Sequence, residues 1–263
     1  MIVFFLCVSC TAEKLKPETT AAFDHYVEVS ERQMVSTPFL RIDALPDAQR
    51  NAAYERLRRE EVITERVQTL DQSRPISIPS GMVHHWAGTV FIPGVTLKQT
   101  LAFLQDYDNQ YKFYSPDVQS SRLIKRDGDD FKVFLRLRKT KVITVILNTE
   151  YEVKYSVLNA DQATSISRST RITEIENAGK SNEKEKPVGD DGGFMWRLNS
   201  YWRFVERDGG VYIQLEAISL TRDIPTGLGW LVGPFVTSIP KESLIFTLTR
   251  TRDGLQKVQS HHP

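Results

Sequence analysis

Tyr201, Arg203 and Glu216 are the residues in this sequence whose types and spacing could do chemistry. They lie in two stretches, "FMWRLNSYWRFVER" (194–207) and "VYIQLEAISLT" (211–221), joined by the turn "RDGG". A phenol, a guanidinium and a carboxylate gathered by neighbouring strands can polarise a carbonyl, promote its enolisation or help water to leave. Strand alternation argues against that use. Arg203 shares a face with Arg197, Asn199 and Tyr201, whereas Phe194, Trp196, Leu198, Trp202 and Phe204 share the other. Likewise Val211, Ile213, Leu215 and Ala217 oppose Tyr212, Gln214 and Glu216. The charged set, with Arg168 and Arg171 of an earlier strand, is therefore expected on the solvent face. The alternative is an Arg–Glu pair crossing strands inside a cavity and orienting a polar ligand group.

Other chemistries find less support. His84 and His85 are adjacent on a strand, so they point to opposite faces and cannot share one ion; one packed and one exposed histidine is the expectation. His25, His261 and His262 form no HxxxH or HxH grouping, so neither a metal nor a cofactor is expected. The body holds no cysteine nucleophile and no G-x-S-x-G. "GLGWLVG" lacks the Lys-Ser/Thr of a phosphate loop and carries aromatic bulk where amides would cradle phosphate. Asp106 and Asp108, two apart at a helix end, do not face each other as an acid–base pair needs.

The elements that must position these residues follow from pattern. The chain has 263 residues, 40% hydrophobic and 25% charged, with a formal net charge of +1. That composition fits a globular protein and gives no electrostatic case for nucleic acid. Residues 1–12 open with "MIVFFLCVSC" and read as a short or truncated export signal ending near Ala12. They imply an exported protein of the periplasm or cell envelope, with lipidation at Cys10 as a lesser alternative. Without that leader the body has no cysteine and stands without disulfides.

Residues 13–79 read as a helical extension, with helices over 17–36 and 46–61 that pack onto something else. Residues 80–258 form the main domain, and 259–263 a tail. In that domain a strand over 82–94 precedes a helix over 96–114, then strands at 120–126, 130–138, 142–155 and 164–176. In 142–155, Ile143, Val145, Leu147, Tyr151, Val153 and Tyr155 share one face. "NAGKSNEKEKPVGDDGG" (177–193) reads as a mobile hairpin loop. The strands at 194–207 and 211–221 lead into an apolar, Gly- and Pro-rich connection. A final helix over 240–255 carries Leu244, Leu248, Thr251 and Leu255 on one stripe, with Gly254 placed to close it. Strands segregated from helices in this order indicate an α+β domain with helices on one face of an antiparallel sheet.

The segment "WRLNSYWRFVERDGGVYIQLEAISLTRDIPTGLGWLVGPFVTSIPKESL" resembles the START-like, helix-grip superfamily (also called SRPBCC or polyketide cyclase-like), through bacterial members with "RDIPTGLGWLVGPF" before the last helix. The resemblance covers about residues 80–258. It implies a curved antiparallel sheet wrapped around a long C-terminal helix, with an apolar tunnel between them for a lipid, sterol or polyketide-like molecule. On that basis Trp196, Trp202, Phe204, Ile213, Leu215, Trp230, Leu231, Phe235, Leu244 and Leu248 line the ligand space; the plain alternative is that they fill a core. The implied role is binding or carrying of a hydrophobic molecule, with transient membrane contact. A cyclase or dehydratase using Tyr201, Arg203 or Glu216 is one alternative, and an envelope scaffold docking through its N-terminal helices is another.

Overall fold

Long alternating strands make one antiparallel sheet, in which all but one pair of neighbouring long strands are consecutive in the chain. The computed structural model describes residues 13–141, 143–223 and 229–260, the last stretch by its backbone alone up to residue 237. The strands are β1 (Ile63–Arg66), β2 (Gly81–Pro93), β3 (Val118–Asp127), β4 (Asp130–Thr140), β5 (Thr144–Val157), β6 (Gln162–Glu176), β7 (Arg197–Arg207) and β8 (Gly210–Arg222). Their spatial order is β1-β2-β8-β7-β6-β5-β4-β3, all neighbours antiparallel, and Lys184–Glu185 adds a short ninth strand on β6. The β7–β8 turn shows why the register holds. Asp208 and Gly209 both take positive φ, 56° and 72°, as a two-residue hairpin turn requires.

Helices cover both faces. α1 (Pro17–Ser36) starts with proline in its first turn and buries Phe23, Tyr26 and Val29 as one stripe. With α2 (Asp47–Arg58) it lies on the outer face of the sheet. There it forms clusters with Trp196, Tyr201, Ile218 and Leu220, and with Phe91, Val205 and Tyr212. On the inner face lie α3 (Leu97–Gln105), opened by a Thr96–Gln99 capping box, and α5 (Gly229–Ser260). The core beneath α5 joins Val90, Ile92, Phe204, Ile213 and Leu215 to Leu244, Leu248 and Leu255. The fold is α+β: a helix grip, with an N-terminal helical layer behind the sheet.

Four expectations change. The last helix begins at Gly229, not near Pro240, so Gly233, Pro234 and Pro240 sit within it. A proline removes one intrahelical bond and leaves the rest, while Leu231, Phe235 and Ile239 recur every four residues and continue the helical period. Gly254 does not close this helix. A Cβ there would lie 2.5 Å from Phe103 Cζ, so glycine permits close approach of the preceding helix. The helix expected over 96–114 breaks after Gln105 and resumes as α4 (Gln110–Phe113). The segment read as a loop over 177–193 contributes the short strand Lys184–Glu185 on β6, and Arg136 donates to both carboxylate oxygens of Glu183 at 2.9 Å.

Candidate functional site

Eight strands about 4.8 Å apart span roughly 34 Å, whereas a helix with its side chains is about 10 Å wide. α5 therefore cannot cover the inner face alone, and it lies chiefly against β2, with less of β8. Its line of approach is set at Gly88, where a Cβ would stand 2.7 Å from Leu248 Cδ1 and 3.1 Å from Leu244 Cδ2. At the opposite flank, α3 and the turn after it close over β4 and β5. There Tyr107 and Leu101 pack with Phe131, Val133, Tyr151, Val153 and Tyr155.

Between these two covers, inward side chains of β7 and β6 are only partly covered, whereas those of β5 from Leu147 to Tyr155 are buried. Trp202, Leu198 and Ser200 on β7, with Ser167 and Ser169 on β6, stay half-buried. Trp202 stacks beside Phe204 (centroids 6.1 Å apart, 12° between planes), and Phe204 is sealed in the core. The floor carries four buried tyrosines. Tyr107 and Tyr155 share a hydroxyl–hydroxyl bond of 3.0 Å, and Tyr114 bonds Thr251 of α5 at 2.8 Å. Burial pushes the Tyr155 and Tyr151 hydroxyls up to about 12 and also raises Tyr107 and Tyr114, so all four stay protonated hydrogen-bonding groups at neutral pH. Across β4 to β8 the charged residues of the inner face sit only at strand ends. Glu206 accepts from the Leu97 amide (2.5 Å) at one end; Glu174 with Lys186 (2.9 Å) and Lys139 with Asp117 (2.8 Å) lie at the other.

The ligand-lining residues expected from sequence divide by place. Trp202 lies half-buried between the two covers. Phe204, Ile213, Leu215, Leu244 and Leu248 are buried under α5 and form its seat. Trp196 is a correction. It lies in a bend just before β7, where alternation has not begun, and packs with Phe23 and Tyr26 on the outer side. The side chains of Trp230, Leu231 and Phe235 lie outside the described residues. Of the face read in β5, Leu147, Tyr151, Val153 and Tyr155 are buried, but Ile143 precedes the strand and is 56% exposed. Tyr114 had no periodic signal, because it belongs to the irregular end of the helical segment.

Tyr201, Arg203 and Glu216 are neither in that space nor on a solvent face. The N-terminal layer covers them. Glu216, 2% exposed, takes a 2.7 Å bond from His85 Nε2; His85 Nδ1 in turn faces Tyr26 Oη at 3.1 Å and Thr69 Oγ1 at 3.3 Å, and Thr69 meets Ser30 at 2.7 Å. The hydroxyl–imidazole–carboxylate order matches a nucleophilic triad in reach. Yet Ser30, Thr69, His85 and Glu216 are all buried, so the chain serves as a clasp. Arg203 donates to the carbonyls of Met34 (2.8 Å), Phe39 (3.0 Å) and Pro38 (3.2 Å), closing the end of α1. Tyr201 donates to Glu31 at 2.7 Å; burial, then that carboxylate, raises its pKa. His84, expected to differ in exposure from His85, is also buried. It faces Thr221 at 3.1 Å, and burial, aided by Arg66, lowers it to about 4. Arg168 and Arg171 do meet solvent, and each is also paired: Arg168 donates to Glu31 of α1 at 2.5 Å, and Arg171 to Glu185. Among the described residues no group of three metal-ligating side chains occurs.

A curved antiparallel sheet gripping a C-terminal helix is the architecture of the START-like class. No family model matches the sequence, and no curated protein does. Solved structures that overlap it include human STARD10 (11% identity, 83% of this chain, 84% of that one, TM-score 0.47). Another is the Zhui aromatase/cyclase of a Streptomyces species (9%, 67%, 95%, 0.46), and a third is a STAR-related lipid transfer protein of Xanthomonas axonopodis (17%, 73%, 98%, 0.44). At these scores the overlap carries no argument about activity.

Proposed function

We propose that this protein binds, and by doing so carries, a hydrophobic small molecule held between the inner face of the sheet and α5. One observation carries the reading: Trp202 and Leu198 stay half-buried on the inner face of β7, between the cluster beneath α5 and the cluster beneath α3. Large apolar side chains left partly uncovered inside a fold lose burial energy of about 25 cal/mol per Å² unless something apolar completes their contacts. A concave apolar wall with a few hydroxyls is also the usual form of a small-molecule site. The cyclase alternative loses its named residues to the outer clasp and has no observation of its own.

The reading also assigns ligand contact to Trp230, Leu231 and Phe235, and includes transient contact with a membrane during loading. Export to the cell envelope completes the proposal, and fractionation of cells expressing the full chain checks it. The binding itself is tested by recovering the protein from native cells without detergent and analysing the extract by mass spectrometry. One hydrophobic molecule per chain is expected. A bare chain in every preparation contradicts the reading.

A further inference from the structure

The inner wall says what kind of hydrophobic molecule fits it, granted the binding reading above. Tyr151, on the inner face of β5, is 4% exposed, and its hydroxyl has no hydrogen-bond partner among the described residues. Its strand neighbour Thr149 is close enough to temper the hydroxyl's upward shift. Thr149 donates its own proton to the Leu135 carbonyl (2.8 Å), however, and makes no bond of good geometry to Tyr151. A buried hydroxyl without a partner costs about 1–3 kcal/mol, so a native fold that keeps one usually has a group to meet it. Across the strands, Ser165, Ser167 and Ser200 extend the same hydroxyl-bearing surface. By contrast, no charged side chain of β4 to β8 reaches the middle of the inner face; Glu206, Glu174 and Lys139 stand at the ends, each already paired. Such a wall offers hydrogen bonds but no counter-ion.

We infer that the ligand is a neutral, oxygen-bearing apolar molecule, such as an ester, ketone or alcohol on a hydrocarbon skeleton, whose oxygen accepts a hydrogen bond from Tyr151. An ionised fatty acid is excluded because its carboxylate would be buried without a cation, which costs far more than one hydrogen bond returns.

Three fluorescent probes separate the possibilities in the full chain at pH 7.4: methyl parinarate, ionised parinarate and the oxygen-free polyene diphenylhexatriene. Methyl parinarate is expected to bind at least about ten-fold more tightly than parinarate. Tyr151→Phe is expected to weaken the ester by about three- to ten-fold and leave diphenylhexatriene unchanged. The variant should melt at or above the parent temperature, since it removes a group with no partner, and that measurement shows the fold is intact. Parinarate binding as tightly as its ester overturns the inference while the binding reading stands. So does an ester affinity indifferent to Tyr151→Phe. Failure of all three probes overturns the binding reading and this inference with it.

Discussion

The two faces of this sheet are both covered by helices, yet they are covered in different ways. On the outer face of β2, β8 and β7, ionisable and polar groups meet one another. Glu216 meets His85, Arg203 meets three carbonyls, and Gln214 accepts from the Arg41 amide at 2.7 Å. On the inner face of β7 and β6, between their charged ends, the groups are apolar or hydroxylic and several are half-buried, and on β5 the Tyr151 hydroxyl is left over. A satisfied buried network resists rearrangement, because moving any member strands the others. An apolar wall with slack can exchange one set of contacts for another. The outer face therefore holds the N-terminal layer in one place, and the inner face is where a guest can enter.

The largest test of this contrast strikes the clasp. Glu216→Ala leaves His85 without its carboxylate and is expected to cost about 3–5 kcal/mol in urea unfolding. A cost below about 1 kcal/mol would show that the outer network contributes little. Within the inner face, Phe204→Ala should cost about 3–5 kcal/mol, because the ring is fully buried beneath α5. Trp202→Ala, two residues away and half-buried, should cost about 1–2 kcal/mol while weakening ligand binding more than Phe204→Ala does per unit of stability lost. Equal losses in stability would make Trp202 ordinary core. Gly88→Ala is expected to cost about 1–3 kcal/mol, since the new methyl group meets Leu248 and pushes α5 off β2.

Two pH effects of opposite sign follow. His84 is held near 4, below its ordinary 6.5, so its neutral form stabilises the fold above pH 6.5 and that contribution is lost as pH falls toward 4. His84→Gln should flatten the acid limb of a plot of melting temperature against pH. Asp191 is shifted the other way, chiefly by burial and then by Glu174, against amide and indole donors from Gly193 and Trp196. Its raised pKa means that the folded state favours the protonated acid. The associated stability is full below the ordinary carboxylate range and is lost as pH rises through the raised value. Asp191→Asn should raise the melting temperature at neutral pH, with the gain shrinking as the solution is acidified.

The sequence made the helix grip legible because alternation in β5, β7 and β8 is strong, and because resemblance around residues 196–244 pointed to the same architecture. The inward side of Trp202, Phe204, Ile213 and Leu215 could be read directly from period two. What the pattern could not show was the second cover. Alternation tells which residues share a face, but not whether that face meets water, so Tyr201 and Glu216 looked solvated until α1 and α2 were placed over them. His84 and His85 misled for the same reason, since opposite faces mean different exposure only when one face is bare. Trp196 failed because period two was extended into a bend. The early start of α5 was hidden by Gly233, Pro234 and Pro240, whose local cost outweighed a helical repeat that was present in Leu231, Phe235 and Ile239.

The central claim, that a guest sits against the inner face, is tested most directly by energy transfer from tryptophan to bound methyl parinarate. Trp202 lies beside the proposed site, and Trp196 lies beyond the sheet under the N-terminal layer. Saturable transfer at one probe per chain is predicted, falling more in Trp202→Phe than in Trp196→Phe, with Trp86 and Trp230 supplying the remaining transfer. Transfer that never saturates, or that falls equally in the two variants, would contradict a site on the inner face.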